Sequence, residues 1–461
     1  MEGGLRPVPA SLLQRRLLLF PLATAVETHQ GVSCLTIAGL DLQELAERYG
    51  TPLYLYDRQT LDEGLRQYQS ALQHFYPASW RLAYAGKAFL CLAMAQWVAA
   101  QQVDLDCSSA GEVAIARRAG LEREHILLHG VNKSQLGLQT ALPHVGALVV
   151  DHLDELDALL SIYLSRPPAF PELWLRLRPG IAADTHLYIR TGQTESKFGM
   201  SPSEVLQGIK RCLDAGLTPG GLHFHLGSQF RDVTPYITAL ETALDLALQA
   251  RAQTGWELPA LSLGGGWGVA YHEDDLPHPE IETFIQAIAS VVLDGCRKRS
   301  LPIPRLHLEP GRSLIARAGV CLYRVGAVKH TGSRRWLLVD GGLGDNPRPA
   351  LYGARYSCLP VINPDRTPVA PAWLGGPFCE SGDTWVDAVL LPDVRAGELL
   401  AVPVCGAYQL SMASNYNGAC RPAVLWLENG QAHLIREREL MEDLYRRDRL
   451  LSHLPSPGFV P

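Results

Sequence analysis

The sequence lacks the features that mark several broad classes of protein. Basic residues are not in excess, since 41 Lys and Arg stand against 47 Asp and Glu, giving a formal charge of −6. Proteins that bind nucleic acids or anionic membranes usually carry a basic surface. The sequence also has no apolar run of about 18 residues, the length that spans a bilayer. We therefore expect neither nucleic-acid nor membrane partners.

Cysteine is scarce, with ten residues scattered among 461 and no C-x-x-C pair. This pattern favours a reducing compartment, and we expect a cytoplasmic protein. The apolar stretch at 17–26 has about the length of a signal-peptide core but is interrupted by Pro21, so we expect no cleaved signal. Neither a Walker A motif nor G-x-G-x-x-G is present, which disfavours nucleoside triphosphates and dinucleotides as ligands.

The length predicts two or three domains, and the hydrophobic pattern predicts that one of them is a barrel. Eight short apolar runs, each followed by a helical pattern, lie at 81–85, 103–106, 125–129, 147–150, 173–177, 221–225, 260–263 and 305–308. Strands that alternate with helices indicate a parallel sheet, and eight such units fit a closed (β/α)8 TIM-like barrel. A doubly wound α/β sheet is the alternative.

After residue 312 the pattern changes to strands separated by Pro and Gly clusters, at 320–325, 336–339, 388–391 and 423–427. This indicates a β-rich domain, either a β-barrel or a sandwich. Short strand-like runs at 33–38 and 53–56 precede the barrel, and we expect them to join that domain. The predicted division is an N-terminal segment at 1–58, the barrel at 59–315 and the C-terminal β domain at 316–461.

Polar residues follow the predicted barrel strands, and they are Lys87, Asp106, Arg176, His225, Ser228, Glu309 and Arg312. The carboxyl ends of barrel strands meet at one mouth, so these side chains should converge on one pocket. Partial desolvation there would lower the pKa of the Lys87 amine and activate it for Schiff-base chemistry. Its local context alone favours a solvated surface lysine, since most lysines are solvated, and the neighbouring motifs decide otherwise.

Three further motifs point to one cofactor. Gly264–Gly266 either cradles a phosphate or makes a tight turn. His223 and His225 share one strand face, and because a metal needs more than two ligands we interpret His225 as stacking on a planar cofactor, with Ser228 at its phosphate. Glu309 would hold the proton on the ring nitrogen of a pyridine, which makes the ring an electron sink. With Lys87, these motifs predict pyridoxal 5'-phosphate and no metal.

At these motifs the chain resembles the diaminopimelate decarboxylases, which use pyridoxal phosphate and pair an alanine-racemase-like barrel with a β domain. The resemblance extends from about residue 40 to residue 426. It is carried, in order, by 84–88 (YAGKA), 106–112 (DCSSAGE), 191–192 with 196–199 (TG and SKFG), 223–229 (HFHLGSQ), 309–313 (EPGRS), 348–352 (RPALY), 379–383 (CESGD) and 406–417 (GAY and SMASNYN).

The resemblance implies a role for each matching residue. Lys87 would form the Schiff base, His225 would stack on the ring and Glu309 would pair with the pyridine nitrogen. Cys379 would be the acid that reprotonates the substrate carbon, supplied with Glu380 by the second subunit of a homodimer. The other implied cofactor contacts are Asp106, Ser228, Gly264, Gly265, Gly266, Gly311, Arg312 and Tyr408.

The charge of the substrate narrows its identity. Diaminopimelate carries a distal carboxylate that ornithine lacks, and an arginine can bind such a group through charge-assisted hydrogen bonds. We expect substrate contacts from Arg312, Arg348, Tyr352 and Tyr408, with Glu380 on the distal ammonium. The resulting hypothesis is decarboxylation of meso-diaminopimelate at its D-centre to L-lysine, the last step of lysine biosynthesis.

Three alternatives stay open. A related decarboxylase with a carboxyspermidine-type or carrier-bound substrate would differ only around Arg348 and Glu380. An amino-acid racemase would need a basic Tyr on the opposite face, and an inactive binding protein would be expected to lose Lys87 or Cys379. The chain departs from the family at Trp267, where a smaller aliphatic residue is usual, and at 356–357, where Tyr-Ser replaces a frequent Tyr-His. The first 30 or so residues have no assigned role.

Overall fold

A computed structural model describes residues 11–181 and 195–452. The Thr191-Gly192 motif lies outside the described residues, as do the first ten and the last nine residues of the chain. The first elements are α1 (Leu12–Leu17), β1 (Thr24–His29), β2 (Val32–Ile37), β3 (Leu40–Asp41), α2 (Leu42–Tyr49) and β4 (Leu53–Asp57). Strands β1 to β3 form a small antiparallel sheet.

A closed barrel of eight parallel strands follows. Its elements are α3 (Arg58–Phe75), β5 (Trp80–Ala85), α4 (Leu92–Ala100), β6 (Asp104–Cys107), α5 (Ala110–Arg118), β7 (Ile126–Leu128), α6 (Gln135–Ala141), β8 (Ala147–Val150), α7 (Leu153–Leu164), β9 (Glu172–Arg176), α8 (Pro202–Asp214), β10 (Gly221–His223), α9 (Thr234–Thr254), β11 (Ala260–Ser262), α10 (Ile281–Arg299), β12 (Arg305–Leu308) and α11 (Arg312–Ile315). The strands close in the order β10-β11-β12-β5-β6-β7-β8-β9. All eight predicted runs are barrel strands, and the doubly wound alternative is wrong.

Polar side chains cap the first turns of several barrel helices and so set where these helices begin. Asp57 accepts a hydrogen bond from the Thr60 amide at the start of α3, and Ser109 caps α5 in the same way. Ser201 and Glu204 form a reciprocal capping box on α8. These side chains bind amides that have no partner inside the helix.

Successive side chains of the barrel strands point alternately outward and inward, so the barrel has two apolar clusters, one between strands and helices and one inside the ring of strands. Outward residues such as Leu105 on β6 and Leu306 on β12 pack with the helices in the main apolar core. A small separate cluster of Leu127, Ala147, Val149, Trp174 and Ala260 comes from the opposite, inward faces of the strands. The inward positions also carry buried polar residues, and this polar interior leads up to the barrel mouth.

The second domain is β-rich, as predicted. Its elements are β13 (Gly319–Thr331), β14 (Arg334–Val339), α12 (Arg348–Tyr352), β15 (Leu359–Pro360), β16 (Ala370–Gly375), β17 (Thr384–Leu391), β18 (Leu399–Val402), β19 (Ala423–Glu428), β20 (Gln431–Arg436) and α13 (Met441–Tyr445). The main sheet runs β17-β16-β14-β13-β4-β19-β20, and β18 joins β13 to β15.

The two N-terminal strand predictions have different outcomes. The run at 53–56 is β4, which lies in the large sheet between β13 and β19. The run at 33–38 is β2 of the small sheet, and it also packs on the β domain. The Leu35 amide donates to the Val361 carbonyl at 2.9 Å, and the buried side chains of β2 share an apolar core with Leu53 and Leu322.

Helix α1 ties the barrel to the β domain. The buried Arg16 side chain donates to Glu273 Oε1 at 2.8 Å and to the carbonyl of Leu390 at 2.9 Å. Glu273 lies in a loop at the barrel mouth, whereas Leu390 is on β17. The segment without a family role thus bridges both domains. Among the helices of the described ranges, none has the length and apolarity to cross a membrane.

Candidate active site

A cavity of about 330 Å³ opens at the barrel mouth, where the carboxyl ends of the strands meet the β domain. Seven of the predicted site residues line it, namely Lys87, His225, Ser228, Glu309, Arg312, Tyr352 and Tyr408. The other lining residues are Ser108, His129, Gly130, Val131, Arg176, Phe198, His223 and Met412. The barrel therefore brings together residues more than 200 positions apart, as expected.

Lys87 lies in a short 3-10 helix, Gly86–Ala88, directly after β5. Its Nζ is 3.9 Å from Asp106 Oδ2, and 42% of its side chain is exposed. Burial of this region lowers the pKa, but the Asp106 carboxylate, with Tyr408 and Glu309, outweighs burial and raises the pKa of Lys87. The expectation of a lowered lysine pKa is therefore wrong for the free amine, because β6 places a carboxylate opposite it.

Asp106 is fully buried on β6, and burial raises its pKa to about 7 even though the Lys87 ammonium opposes the shift. Neither of its carboxylate oxygens has a hydrogen-bond partner among the described residues. His129 Nε2 lies 3.4 Å from Oδ1, within ion-pair distance. A buried carboxylate with unused hydrogen-bonding capacity beside a cavity is available to a polar ligand atom.

Glu309 follows β12 and collects contacts from three other strands. Ser262 Oγ donates to its Oε1 at 2.7 Å, and His223 Nε2 lies 3.2 Å from Oε2. His129 Nε2 lies 3.6 Å from Oε1. Burial opposes ionisation, but the surrounding imidazoles outweigh it and hold the pKa of Glu309 well below its usual value. The carboxylate facing the cavity is therefore anionic.

Arg312 begins α11 and places a buried cation at the other side of the mouth. Its Nε and Nη2 donate to Ser228 Oγ at 3.1 and 3.0 Å, and its Nη1 donates to the Tyr271 hydroxyl. Its guanidinium carbon lies 4.7 Å from the centre of the Tyr408 ring. Within the described ranges no carboxylate pairs with Arg312, so its charge is available to an anionic ligand.

The glycine run after β11 is required by close packing. A Cβ at Gly264, whose φ is +64°, would lie 2.6 Å from His225 Nδ1. A Cβ at Gly265 would lie 2.2 Å from the carbonyl oxygen of Glu309. Both contacts are too short for any other residue. The run therefore makes a tight turn that fixes the positions of His225 and Glu309 at the cavity.

His225 is half-buried just beyond β10. Burial, reinforced by the nearby Lys87 charge, holds the pKa of His225 well below its usual value. The imidazole is therefore neutral and can lie against a planar ligand without desolvating a charge. Gly311 lies close to the same site, since a Cβ there would be 3.3 Å from the Tyr408 hydroxyl.

The structure separates two of the predicted substrate residues. Tyr352 lines the cavity, whereas Arg348, at the start of α12, is buried outside its lining. The Arg348 guanidinium lies 4.2 Å from the centre of the Tyr271 ring and donates to the Tyr356 hydroxyl. Tyr271 therefore contacts both Arg312 and Arg348.

Cys379 and Glu380 are exposed, and neither lines the cavity of the single chain. They lie in the loop between β16 and β17. The Cys379 amide donates to Asn417 Oδ1 at 3.1 Å, and the Asp383 carboxylate accepts from the Phe378 amide at 3.0 Å. All ten cysteines are free, and Cys379 is the exposed one.

Sequence reasoning missed one polar group at the site, His129, which directly follows β7. The available signal was position, since it stands at a strand end as Lys87 does. Arg176 lies at the mouth as expected, at the end of β9, where its Nη1 donates to Asp151 Oδ1 at 2.9 Å, and His223 ends β10. The ligand atoms of His129, His223 and Glu309 lie within 4.8 Å of one another, a grouping that spacing along one strand did not show.

The departure from the family at Trp267 has a local explanation, whereas nothing in the structure explains the serine at position 357. Trp267 is buried behind the glycine run, stacked 5.9 Å from Tyr236 and tilted against Tyr68 at 5.6 Å. It fills the space between the barrel and α9 rather than entering the cavity. Tyr356 accepts hydrogen bonds from Arg348 and, at 2.8 Å, from Gln409 Nε2, so it fixes the second arginine.

Comparison with known proteins identifies this arrangement. The model for the pyridoxal-dependent decarboxylase pyridoxal-binding domain matches residues 59–316. A diaminopimelate decarboxylase of Actinosynnema pretiosum is 40% identical over 93% of this chain and 95% of its own length, and that of Bacillus subtilis is 39% identical over 90% and 95%. The chain belongs to the diaminopimelate decarboxylase family.

Solved structures of the family have the same fold. The diaminopimelate decarboxylase of Helicobacter pylori, in complex with L-lysine, is 32% identical, with a TM-score of 0.80 over 88% of this chain and 98% of its own. That of M. jannaschii is 30% identical, with a TM-score of 0.84 over 93% of this chain and 99% of its own.

Membership of the diaminopimelate decarboxylase family makes pyridoxal phosphate the cofactor, and the residues at the mouth fit it. Lys87 opens onto the cavity, and the anionic Glu309 suits a protonated ring nitrogen. Arg312 provides a cation without a carboxylate partner in the described chain, which suits the phosphate. Asp106 adds buried acceptor atoms that the described residues leave without hydrogen bonds.

Proposed function

We propose that this chain decarboxylates meso-diaminopimelate at its D-centre to L-lysine and carbon dioxide, the last step of lysine biosynthesis. The observation that carries the proposal is the convergence of Lys87, Glu309 and Arg312 on one cavity, in a chain that belongs to the diaminopimelate decarboxylases. The L-lysine complex of the Helicobacter pylori relative supports lysine as the product.

Pyridoxal phosphate, when bound, supplies the electron sink for the bond to the departing carboxylate. We assign Lys87 to the covalent link, since its amine opens onto the cavity. Glu309 would accept a hydrogen bond from the protonated ring nitrogen, and His225 would lie against the ring. Ser228 and Arg312 would hold the phosphate. The other residues assigned to the cofactor are Asp106, Gly264, Gly265, Gly266, Gly311 and Tyr408.

Lys87 has to lose a proton before its nitrogen can act as a nucleophile. Asp106 is the nearest acceptor, 3.9 Å away, and its pKa of about 7 suits it to exchange that proton near neutral pH. Glu309 stays ionised because the imidazoles around it donate to or face its oxygens. The two carboxylates thus have separate tasks, Asp106 at the amine and Glu309 at the ring nitrogen.

We assign the acid that protonates the product carbon to Cys379, supplied by the partner subunit of a homodimer together with Glu380. The exposure of both residues, outside the cavity of their own chain, supports this assignment. Exposed apolar side chains nearby also support a subunit contact, since Leu351 is 48% and Tyr416 41% exposed.

For the substrate we assign Arg312, Tyr352 and Tyr408, which line the cavity, and Arg348, which stacks on Tyr271 beside them. Arg348 and Arg312 would bind the distal carboxylate through charge-assisted hydrogen bonds. Glu380 of the second subunit would take the distal ammonium.

The domain division that we propose is 1–58, 59–315 and 316–461. It is supported by the family model, which matches residues 59–316, and by the closure of the barrel within that range. A cytoplasmic location is supported by the ten free cysteines, nine of them withdrawn from full exposure.

The test is the absorbance spectrum of the purified protein, followed by release of lysine and carbon dioxide from meso-diaminopimelate, with L-ornithine and L-lysine as comparison substrates. A cofactor band with lysine release is the expected result. A band without turnover would leave the cofactor assignment standing and redirect the substrate to a carboxyspermidine-type or carrier-bound amino acid. Absence of both would overturn the assignment of Lys87.

A further inference from the structure

A column of polar side chains runs through the barrel interior beneath Glu309. Strand alternation points Asp104 of β6 and His307 of β12 inward, in line with Asp106 and Glu309 above them. His307 lies between two carboxylates, with Nε2 3.4 Å from Asp104 Oδ2 and Nδ1 3.5 Å from Glu309 Oε1. The imidazole is 1% exposed and therefore cannot exchange these partners for water.

Three imidazoles approach Glu309, and they differ in charge. Burial lowers the pKa of His223, and holds the pKa of His129 well below its usual value, so both rings are neutral. Burial also opposes the charge on His307, but its contacts with Asp104 and Glu309 outweigh it and raise the pKa. The difference lies in how each ring meets its carboxylates. His223 faces only Glu309, and His129 faces Asp106 and Glu309 with the same nitrogen, Nε2, whereas His307 presents a separate ring nitrogen to each of two carboxylates.

Asp104 is itself held in its ionised form from the floor of the barrel. Arg81 Nη2 lies 2.5 Å and His125 Nδ1 2.8 Å from its Oδ1. Burial opposes ionisation, but His307 and Arg81 outweigh it and lower the pKa of Asp104. The Arg81 and His125 side chains are 34% and 41% exposed, so the column connects the solvent at the barrel floor with the buried carboxylate at the mouth.

We propose that His307, anchored by Asp104, is a positioning residue that keeps the Glu309 carboxylate ionised and directs it at the ring nitrogen of pyridoxal phosphate. The proposal rests on the role of Glu309 in the proposed function. The two ring nitrogens face the two carboxylates, Nε2 toward Asp104 at 3.4 Å and Nδ1 toward Glu309 at 3.5 Å, so the ring fills the space between them and limits their rotation. It touches neither cofactor nor substrate and acts through Glu309.

Within residues 11–181 and 195–452, few groups face His307. Asp104 and Glu309 are the charged ones, Trp174 of β9 meets the ring edge to face at 5.3 Å, and Ser262 of β11 pairs beside it in the sheet. Arg81, its register partner on β5, lies beyond Asp104. Loss of the His307 ring therefore removes the group that lies between the two carboxylates.

The test compares His307→Gln with the wild-type holoenzyme by cofactor titration and steady-state kinetics. We expect the pH midpoint of the visible band of bound pyridoxal phosphate to move by about one unit. We expect kcat for diaminopimelate to fall about tenfold while KM stays within about twofold. Asp104→Asn should move both quantities in the same direction. If His307→Gln does not fold, Asp104→Asn tests the same contact by changing the other residue of the pair.

A double variant distinguishes positioning through Glu309 from a general structural effect. In a Glu309→Gln background, His307→Gln should change kcat and the band midpoint by less than about twofold and 0.3 unit, because the group through which it acts is gone. Arg305→Gln is the matched control, on the same strand but paired with Glu172 at the barrel floor, and should leave both readouts unchanged.

Two results would overturn the proposal. One is an unchanged band midpoint in both His307→Gln and Asp104→Asn. The other is a full effect of His307→Gln in the Glu309→Gln background. Failure of the proposed function gives a different result. The wild-type protein would then bind pyridoxal phosphate without releasing lysine, but the band midpoint would still differ between wild type and His307→Gln.

Discussion

At the barrel mouth, the charge of each side chain is set by its immediate neighbours rather than by its residue type. Burial lowers the pKa of Lys87, yet the Asp106 carboxylate outweighs burial and raises it. Glu309 is buried but stays anionic, whereas burial leaves the similarly buried carboxyl of Asp106 with a pKa of about 7. One lysine and two carboxylates of ordinary chemistry thus acquire three distinct states.

The first prediction concerns Lys87. Lys87→Ala should abolish covalent cofactor attachment and lower kcat about 10³-fold or more, because the amine is the attachment point that the cavity offers. The measurement is borohydride reduction of the holoenzyme followed by peptide mass spectrometry, which should find the cofactor mass on the peptide containing residue 87. The exposed Lys210→Ala on α8 is the control and should behave as wild type. Cofactor mass on another lysine would contradict the assignment.

The second prediction concerns Arg348. Arg348→Ala should lower kcat/KM for diaminopimelate by about 10- to 100-fold, since a charged hydrogen bond to the distal carboxylate would be lost. Arg355→Ala is the matched control, because its side chain is 57% exposed and pairs with Asp274 outside the cavity. An unchanged kcat/KM for Arg348→Ala would show that the charge argument for the substrate is wrong.

At the scale of elements, the N-terminal segment is part of the structure that carries the site. Helix α1 places Arg16 against Glu273, two residues beyond Tyr271, which contacts both Arg312 and Arg348. The carbonyl of Leu18 meets His278 Nε2 at 3.2 Å, a second attachment to the same loop region. The segment thus holds the loop after β11 against the barrel.

The third prediction tests the first attachment. Arg16→Met should lower the free energy of unfolding by about 3 kcal/mol, because it leaves the buried Glu273 carboxylate without its guanidinium. Its neighbour Arg15, 34% exposed and 3.7 Å from Asp274, is the control, and Arg15→Met should cost about 1 kcal/mol or less. Urea unfolding of the two variants measures the difference, and equal losses would refute a special role for Arg16.

The fourth prediction is a pH dependence at the second attachment. Burial lowers the pKa of His278 to about 4, against 6.5 for a free imidazole, so the folded protein binds the proton more weakly than the unfolded chain. Stability is therefore present above about pH 6.5 and is lost as the pH falls toward 4, by up to about 3 kcal/mol. Unfolding of His278→Gln between pH 7.5 and 4.5 should show a weaker decline than wild type. Parallel curves would rule out this source of acid sensitivity.

At the scale of the whole molecule, the single chain leaves its proposed acid outside its own cavity. Cys379 is exposed in the loop between β16 and β17, while Lys87 lies at the barrel mouth. The proposed homodimer, in which each subunit would complete the other's site, would reconcile the two positions.

The fifth prediction follows from that arrangement. Lys87→Ala and Cys379→Ala should each be inactive alone, yet their mixture after subunit exchange should regain about a quarter of wild-type activity. Half of the reassociated dimers are mixed, and each of those has one intact site of two. The control is the same mixture assayed before the subunits have had time to exchange. A mixture that stays inactive after proven exchange would place Cys379 and Lys87 of one chain in the same site.

Local patterns were sufficient for much of the fold. The eight barrel strands and the strands after residue 312 could be predicted because alternation and apolar runs depend on nearby residues. Lys87, Glu309 and Arg312 could be placed at one mouth because parallel strands end together. The run at 33–38 pairs with β1 and β3, its neighbours in sequence, and only tertiary packing decides that this small sheet lies against the core of the β domain.

The sequence by itself determined the order of the strands, the residues at their ends and the family that they resemble. The tertiary structure decided what those residues face: Asp106 opposite Lys87, Tyr271 between two arginines, and His307 between Asp104 and Glu309. The physical reason is that charge and hydrogen bonding depend on distances of a few ångströms between residues up to about 200 positions apart. Those distances exist only once the barrel has closed.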